Sequence, residues 1–211
     1  MHLLLYGATG TLGQRILAEA LDRGHTVTAA ARNPDRIQEM TGVTLRQGDI
    51  LDTDSVAGIA QGHDAIVSAV GPGHGGDPCF LVAAARSLIA AAKRTGVRLV
   101  VLGGAGSLDV EPEVQLVETS DFASTWMGVA LAHRDALELY RAAPPDVDWS
   151  YASPAATVEP GQRTGRYRTG GDHLVVDEHG RTRISAEDLA AAIIDEVEQP
   201  RHRRQRFTIA W

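Results

Sequence analysis

Three glycines at a spacing of three, Gly7, Gly10 and Gly13, sit in the string Gly7-Ala8-Thr9-Gly10-Thr11-Leu12-Gly13. They follow at once on the apolar run His2-Leu3-Leu4-Leu5-Tyr6 and precede a helical pattern. In a strand–turn–helix unit each glycine has a task. Gly7 lets the strand turn sharply, Gly10 lets backbone approach a pyrophosphate, and Gly13 lets the helix pack on the strand. The first helical turn has free N–H groups and the positive end of the helix dipole, which together suit an anion. A dinucleotide whose phosphates rest on Gly7, Thr9, Gly10, Thr11, Leu12 and Gly13 is therefore expected.

A second marker lies about 20 residues on, where an acidic residue at the end of the second strand would hold the ribose hydroxyls of NAD. The chain has Arg32 there, after Thr26-Val27-Thr28-Ala29-Ala30-Ala31. An arginine pairs instead with the extra phosphate of NADP, so NADP(H) is expected in preference to NAD(H). The alternative is a surface arginine at a helix start. Asp49, in Gln47-Gly48-Asp49-Ile50, could accept from the adenine amino group or simply cap the next segment. Ala69-Val70-Gly71, after the fourth strand, is small enough for the cofactor to lie close to backbone. Ile50, Gly104, His133 and Pro154 complete the expected cofactor contacts.

Many reductases of this type use a Tyr-x-x-x-Lys pair. This chain cannot, because its only lysine is Lys93 and none of the four tyrosines has a lysine four ahead. His133 is the best remaining candidate, either binding ribose hydroxyls or donating a proton; it could equally be a structural residue of an amphipathic helix. Ser107, in Gly103-Gly104-Ala105-Gly106-Ser107, could hydrogen-bond a substrate carbonyl or cap its own backbone. His74, within Gly73-His74-Gly75-Gly76, could line the site. The remaining histidines form no metal-ligand cluster, and no metal is expected.

The elements that must position these residues alternate strand and helix. Helical patterns run from Thr11 to Arg23, from Asn33-Pro34 to about Met40, from Asp52 or Thr53 to about Gln61, from Phe80 to Thr95 and from Thr125 to Ala142. Ser185-Ala186-Glu187-Asp188 is a capping-box pattern opening a last helix. Strand runs fall at Thr26–Ala31, Val43–Gln47, Asp64–Val70, Val97–Leu102, Val147–Ala152 and Phe207–Trp211, with a hairpin expected over His173–Ile184. Gly103–Ser124 reads as an irregular loop with short helical turns, and Ser153–Asp172 as a long functional loop. Unbroken apolar strands call for a parallel sheet covered on both faces. The expectation is one α/β domain over residues 1–211: a doubly wound, mostly parallel Rossmann sheet in three layers, with a small C-terminal hairpin and loop region for substrate.

The 44% hydrophobic and 22% charged residues are ordinary for a soluble domain. A net charge of −7 and a pI near 5.6 argue against a nucleic-acid surface. The local exception, Arg201-His202-Arg203-Arg204-Gln205-Arg206, reads as a solvated loop. The lone Cys79 forbids an internal disulfide and suits a reducing cytoplasm. The first apolar stretch stops at a glycine after six residues, so no signal peptide is expected. No apolar run approaches the ~20 residues of a membrane span, so no membrane partner is expected.

Over nearly its whole length the chain resembles the NmrA-like, atypical short-chain dehydrogenase/reductase group to which NADH-flavin reductases are provisionally assigned. The likeness rests on Gly7-Ala8-Thr9-Gly10, Arg32-Asn33-Pro34, Gln47-Gly48-Asp49-Ile50, Gly103-Gly104-Ala105-Gly106-Ser107-Leu108, Ala132-His133, Ser153-Pro154-Ala155, the Gly165–Asp172 stretch, Ile184 to Asp188, and Arg204 to Thr208. It implies a Rossmann fold, NAD(P) binding and hydride transfer to a flavin or another small acceptor such as a quinone. Three readings are open: such a reductase, a non-catalytic NAD(P) sensor of NmrA type, and, more weakly, an isomerase or epimerase. The acceptor is expected under the Gly71–Gly76 and Ser153–Asp172 loops. The protein is expected to be a monomer or a homodimer, with Trp126, Met127, Val129 and Leu131 as a dimer face or core.

Overall fold

The computed structural model describes residues 1–37, 40–73 and 75–211. Elements follow in the order β1 (His2–Tyr6), α1 (Thr11–Asp22), β2 (Thr26–Ala31), β3 (Val43–Gln47), α2 (Thr53–Ala60), β4 (Ala65–Ser68), α3 (Cys79–Thr95) and β5 (Arg98–Leu102). Then come β6 (Asp109–Glu111), β7 (Val114–Gln115), α4 (Ser124–Arg141), β8 (Trp149–Pro154), β9 (Thr157–Glu159), β10 (Arg168–Gly170), β11 (Arg183–Ser185), α5 (Ala186–Glu198) and β12 (Gln205–Ala210). The main sheet has eight strands in the order β10-β12-β8-β5-β4-β1-β2-β3. All pair in parallel except β10, which runs antiparallel to β12.

The sheet is covered on both faces. Leu3, Leu5, Val100 and Ile209 pack with Ile16 and Leu17 of α1 and with Leu189 and Ile193 of α5. On the other face Leu4, Ile66 and Leu99 pack with Val56 of α2, Leu88 of α3 and Leu137 of α4. That double burial is why β4 and β5 are apolar throughout rather than alternating. The doubly wound, mostly parallel α/β architecture matches the expectation from sequence.

Four local expectations fail, each for a physical reason. From Pro34 the chain forms one 3-10 turn to Arg36, not a helix to Met40; Ile37 is already extended and its side chain enters the core beside α1, while residues 38–39 lie outside the described residues. No hairpin forms over His173–Ile184. The Asp177 carboxylate closes a local turn by accepting from the N–H groups of His179 and Arg181 at 2.8 and 2.9 Å. The flanking strand β11 pairs in parallel with β9 instead. Gly103–Ser124 has one of its expected short helical turns, a 3-10 turn at Leu116–Glu118, but also a small β6–β7 ribbon that the irregular reading lacked. The basic run is not a solvated loop: Arg204 donates to the carbonyls of Ala143, Pro144 and Val147, Arg203 pairs with Asp148, and Arg206 is buried.

One buried ionic cluster ties α5 to the sheet. Arg98 of β5 reaches Glu196 Oε1 at 2.6 Å, Ser150 of β8 donates to the same oxygen at 2.9 Å, and His202 Nδ1 lies 2.7 Å from Oε2. Burial pushes the Glu196 carboxyl up, but the bonds from His202, Ser150 and Arg98 outweigh it and hold it below the ordinary carboxylate range. Replacing Glu196 with alanine leaves the buried Arg98 with only the longer contact to Asp148, at 3.5 Å, as its ionic partner, which costs about 3 kcal/mol. Thermal unfolding should therefore show a large drop in Tm for Glu196→Ala. Because the folded pKa is depressed, the stabilisation is complete above the unfolded carboxylate pKa of about 4.3 and is lost as pH falls through the lower folded value. The difference between wild type and Glu196→Ala should shrink over that acid range.

Candidate functional site

The chain runs outward from β1 through β2 to β3, then returns to place β4 on the other side of β1. That reversal opens a crevice at the carboxyl ends of β1 and β4, where open α/β sheets bind ligands. Gly7 turns there with φ +91, and a methyl on it would lie 2.4 Å from the Ala69 carbonyl oxygen. A methyl on Gly13 would lie 1.9 Å from the Gly7 carbonyl oxygen. Gly10 N–H closes the turn onto Gly7 O at 2.9 Å, and Gln14 N–H is taken by Gly10 O at 2.9 Å. Gly10 is the N-cap of α1, which has no side-chain cap. The N–H groups of Thr11, Leu12 and Gly13 thus stay without intrahelical acceptors at the crevice.

A first cleft of about 360 Å³ extends from this loop along the ends of β1 to β4. Gly7, Thr9, Gly10, Arg32, Asp49, Ile50, Ala69, Val70 and Gly71 line it, with Tyr6 and Phe80. Arg32 is exposed, and among the described residues its guanidinium has no hydrogen-bond or ionic partner. Asp49 gives Oδ1 to the N–H of Leu51 at 3.0 Å, whereas the cap of α2 is Asp52, bonded to the N–H groups of Asp54 and Ser55. The buried Tyr6 hydroxyl has no partner among the described residues. Burial, with the charges of Asp49 and Asp52, pushes its pKa far up, so it remains a donor. Sequence reasoning missed Tyr6, although it directly precedes the first glycine of the loop.

A second cleft of about 730 Å³ lies beyond the first turn of α1. Leu12, Gly104, His133 and Pro154 line it together with Phe122, Trp126 and Val129. The glycines after β5 make room for two rings. A methyl on Gly103 would lie 1.9 Å from the Tyr151 ring, and one on Gly104 would lie 3.0 Å from the His133 ring. Tyr151 donates its hydroxyl proton to the His133 carbonyl at 3.0 Å, because a carbonyl can only accept. His133 Nδ1, 3.2 Å from that hydroxyl oxygen, must then carry the N–H. Nε2 is left as an acceptor with no partner among the described residues. Burial pushes the imidazole pKa down to about 4, so His133 is neutral near pH 7. In this state it accepts a hydrogen bond and does not donate a proton from Nε2.

Other expected residues are placed differently. Ser107 is buried and lines neither cleft; its Oγ and its carbonyl both accept from Arg206, at 2.9 and 2.8 Å. It anchors β12 to the loop after β5, which corrects its expected role against a substrate carbonyl. Thr11 and Gly13 border the crevice through backbone but line neither cleft. His74 lies outside the described residues. Of the long loop, only its start, Pro154 to Val158, lines the second cleft. Its middle is tied to α1 and α5, where Arg163 pairs with Glu19 at 2.7 Å, Gly161 N–H with Glu187, and Thr164 and Gly165 N–H with the buried Asp188 at 2.7 and 2.8 Å, and its end forms β10 on the sheet edge. Ser185 caps α5 by accepting from Asp188 N–H at 3.0 Å, while the Asp188 side chain turns to the loop. Trp126 and Val129 face the second cleft rather than the core, and Trp126 is 61% exposed. Among the described residues no group of His, Cys, Asp and Glu could hold a metal, and no helix is long and apolar enough to cross a membrane.

Comparison with known proteins agrees with this geometry. The family described as NAD(P)H-binding matches residues 7–200. The uncharacterized protein YwnB of Bacillus subtilis (strain 168) is 36% identical over 99% of this chain and 98% of its own length. A crystal structure from Burkholderia pseudomallei, provisionally named an exported protein, superposes with a TM-score of 0.91 at 46% identity, covering 100% of both chains. One from Streptococcus pneumoniae TIGR4, provisionally named an NADH-flavin reductase, has a TM-score of 0.87 at 29% identity, covering 100% of this chain and 99% of that one. A family match over most of the chain, a relative similar from end to end and a crevice built for a dinucleotide agree: the chain belongs to the NAD(P)H-binding family of Rossmann-fold proteins.

Proposed function

We propose that this protein is an NADPH-dependent oxidoreductase that reduces a flavin, a quinone or a similar small conjugated acceptor. The observation that carries the reading is the pair of clefts in line at the carboxyl edge of the sheet. One is lined by the glycine loop, Arg32 and Asp49, the other by His133, Pro154 and aromatic side chains. The fit to a dinucleotide rests on the uncapped first turn of α1 and the close approach of Gly7 and Gly13. Arg32 would hold the 2′-phosphate of the adenosine ribose, and the free oxygen of Asp49 would accept from the adenine amino group. Gly104, Pro154 and Nε2 of His133 would border the nicotinamide ribose. A bound reduced nicotinamide would supply a hydride to the acceptor, and the one proton that completes its reduction would come from water. The chain's own part is to orient the rings and exclude water between them. The provisional name of the Streptococcus pneumoniae structure supports this class of acceptor.

A regulatory NAD(P) sensor is the second reading. It is favoured by a single observation: the second cleft holds neither a Tyr–Lys pair nor a charged histidine to donate a proton. An isomerase would need a strong base at the cofactor, and an imidazole with a pKa of about 4 is a weak one. The lone Cys79 and acidic surface favour a cytoplasmic protein acting on small molecules, although the name of the Burkholderia pseudomallei structure points outside the cytoplasm.

Initial rates of NADPH oxidation with a panel of flavins and quinones, alongside cofactor titration, test the reading. Turnover well above the free-flavin background is expected; tight NADPH binding without turnover would select the sensor. Arg32→Ala should weaken NADPH binding by about tenfold, as expected from loss of one charged hydrogen-bonded pair, and leave NADH binding unchanged. Equal losses for both cofactors would assign Arg32 no phosphate role. With His133 neutral, kcat/KM should show no ionisation near the ordinary histidine pKa of about 6.5. Tyr151→Phe removes the acceptor that fixes the His133 tautomer. It should raise KM for NADPH several-fold while its far-UV spectrum stays that of wild type, at a stability cost of about 1 kcal/mol.

A further inference from the structure

The two clefts differ in charge. The first carries a free arginine and the uncapped N-terminus of a helix, both suited to phosphate. The second, about 730 Å³, falls within the ~300–1,000 Å³ usual for small-molecule sites, yet among the described residues no lysine or arginine lines it. Among them Asp121 is the one formally charged lining residue, since His133 is neutral. Phe122 and Trp126 offer flat apolar faces, with Trp126 standing 61% exposed at the rim. The neutral hydroxyl of Thr157 lines the cleft beside them, while Nε2 of His133 is taken by the nicotinamide ribose in the reading above. A ligand matching this lining is planar and uncharged.

We infer that the second cleft selects an unphosphorylated flavin of the riboflavin type over the phosphorylated flavins FMN and FAD; the identification of the ligand as a flavin rests on the reductase reading above. A phosphate monoester brings about −1.5 to −2 charges at pH 7. Placed near Asp121, with no cation in the lining to receive it, that charge is repelled, and the repulsion is weakened by salt over a Debye length of about 10 Å at 0.1 M. The ring system shared by the three flavins stacks on Trp126 and Phe122 equally well. Discrimination therefore comes from the tail and from Asp121.

The test is a fluorescence-anisotropy titration of riboflavin and of FMN against the full chain saturated with NADP+, at low and high salt. Turnover is followed separately with NADPH. Riboflavin should bind about five- to tenfold more tightly than FMN at low ionic strength, as expected for repulsion between charges in a partly solvated cleft, and salt should narrow the gap. Asp121→Asn should narrow it too, chiefly by improving FMN. Trp126→Ala should weaken both flavins alike. Equal or tighter binding of FMN, binding of neither flavin, or an Asp121→Asn ratio identical to wild type would overturn the assignment. Riboflavin-selective binding without NADPH turnover would uphold the assignment of the cleft while removing the reductase reading, so the two fail separately.

Discussion

The approach of Gly13 to the carbonyl of Gly7 is the contact on which the working edge of this molecule depends. No side chain fits there: a methyl group would come within 1.9 Å of the carbonyl oxygen. Only with that gap closed can α1 start directly off β1, and only then do its first N–H groups meet the crevice where the strand order reverses. Gly7 adds the second half of the constraint by turning against Ala69, the residue just past β4. The uncapped N-terminus of α1 and the switch point of the sheet are thus fixed by the same few atoms. Both clefts take their position from that junction.

Elsewhere, charged residues that look like surface or site chemistry are used as architecture. Glu196 holds α5 to β5 and β8 through Arg98 and Ser150. Asp188 gathers the loop after β9 with three bonds, from the Thr164 and Gly165 N–H groups and the Thr164 hydroxyl, and takes a fourth from the Trp211 indole. Arg206 fastens Ser107 and Asp172 to β12. The central groups Glu196, Asp188 and Arg206 are buried, so their partners are needed to offset their desolvation. Their effect on function is indirect but firm. With most of the long loop committed to α1 and α5, the second cleft is bounded by α4 and by the turn after β8.

The His133–Tyr151 contact shows how a shared hydroxyl sets chemistry. Gly103 and Gly104 leave space for both rings, Tyr151 commits its proton to a helix carbonyl, and the imidazole is left neutral with a bare Nε2. A histidine in that state is a hydrogen-bond acceptor across the physiological range.

Much of this was legible in the chain. The spacing of Gly7, Gly10 and Gly13 after an apolar strand, the alternation of strand and helix, and the unbroken apolar runs are local signals, and they suffice for the doubly wound sheet. Arg32, Asp49, Ala69 and Val70 could be placed along one cleft because each directly follows a strand, and strand ends share an edge. Ser107, the basic run and the strands flanking Asp177 could not be read correctly. Their partners lie 99 residues away for Ser107 and Arg206, and 26 for Val158 and Ile184 across β9 and β11. The sequence by itself determined which segments are buried and where backbone must come close, since side-chain size and apolar period act locally. Only the tertiary structure decided which polar groups meet, because burial and pairing between distant segments set whether a serine anchors, a histidine ionises or an arginine stays exposed.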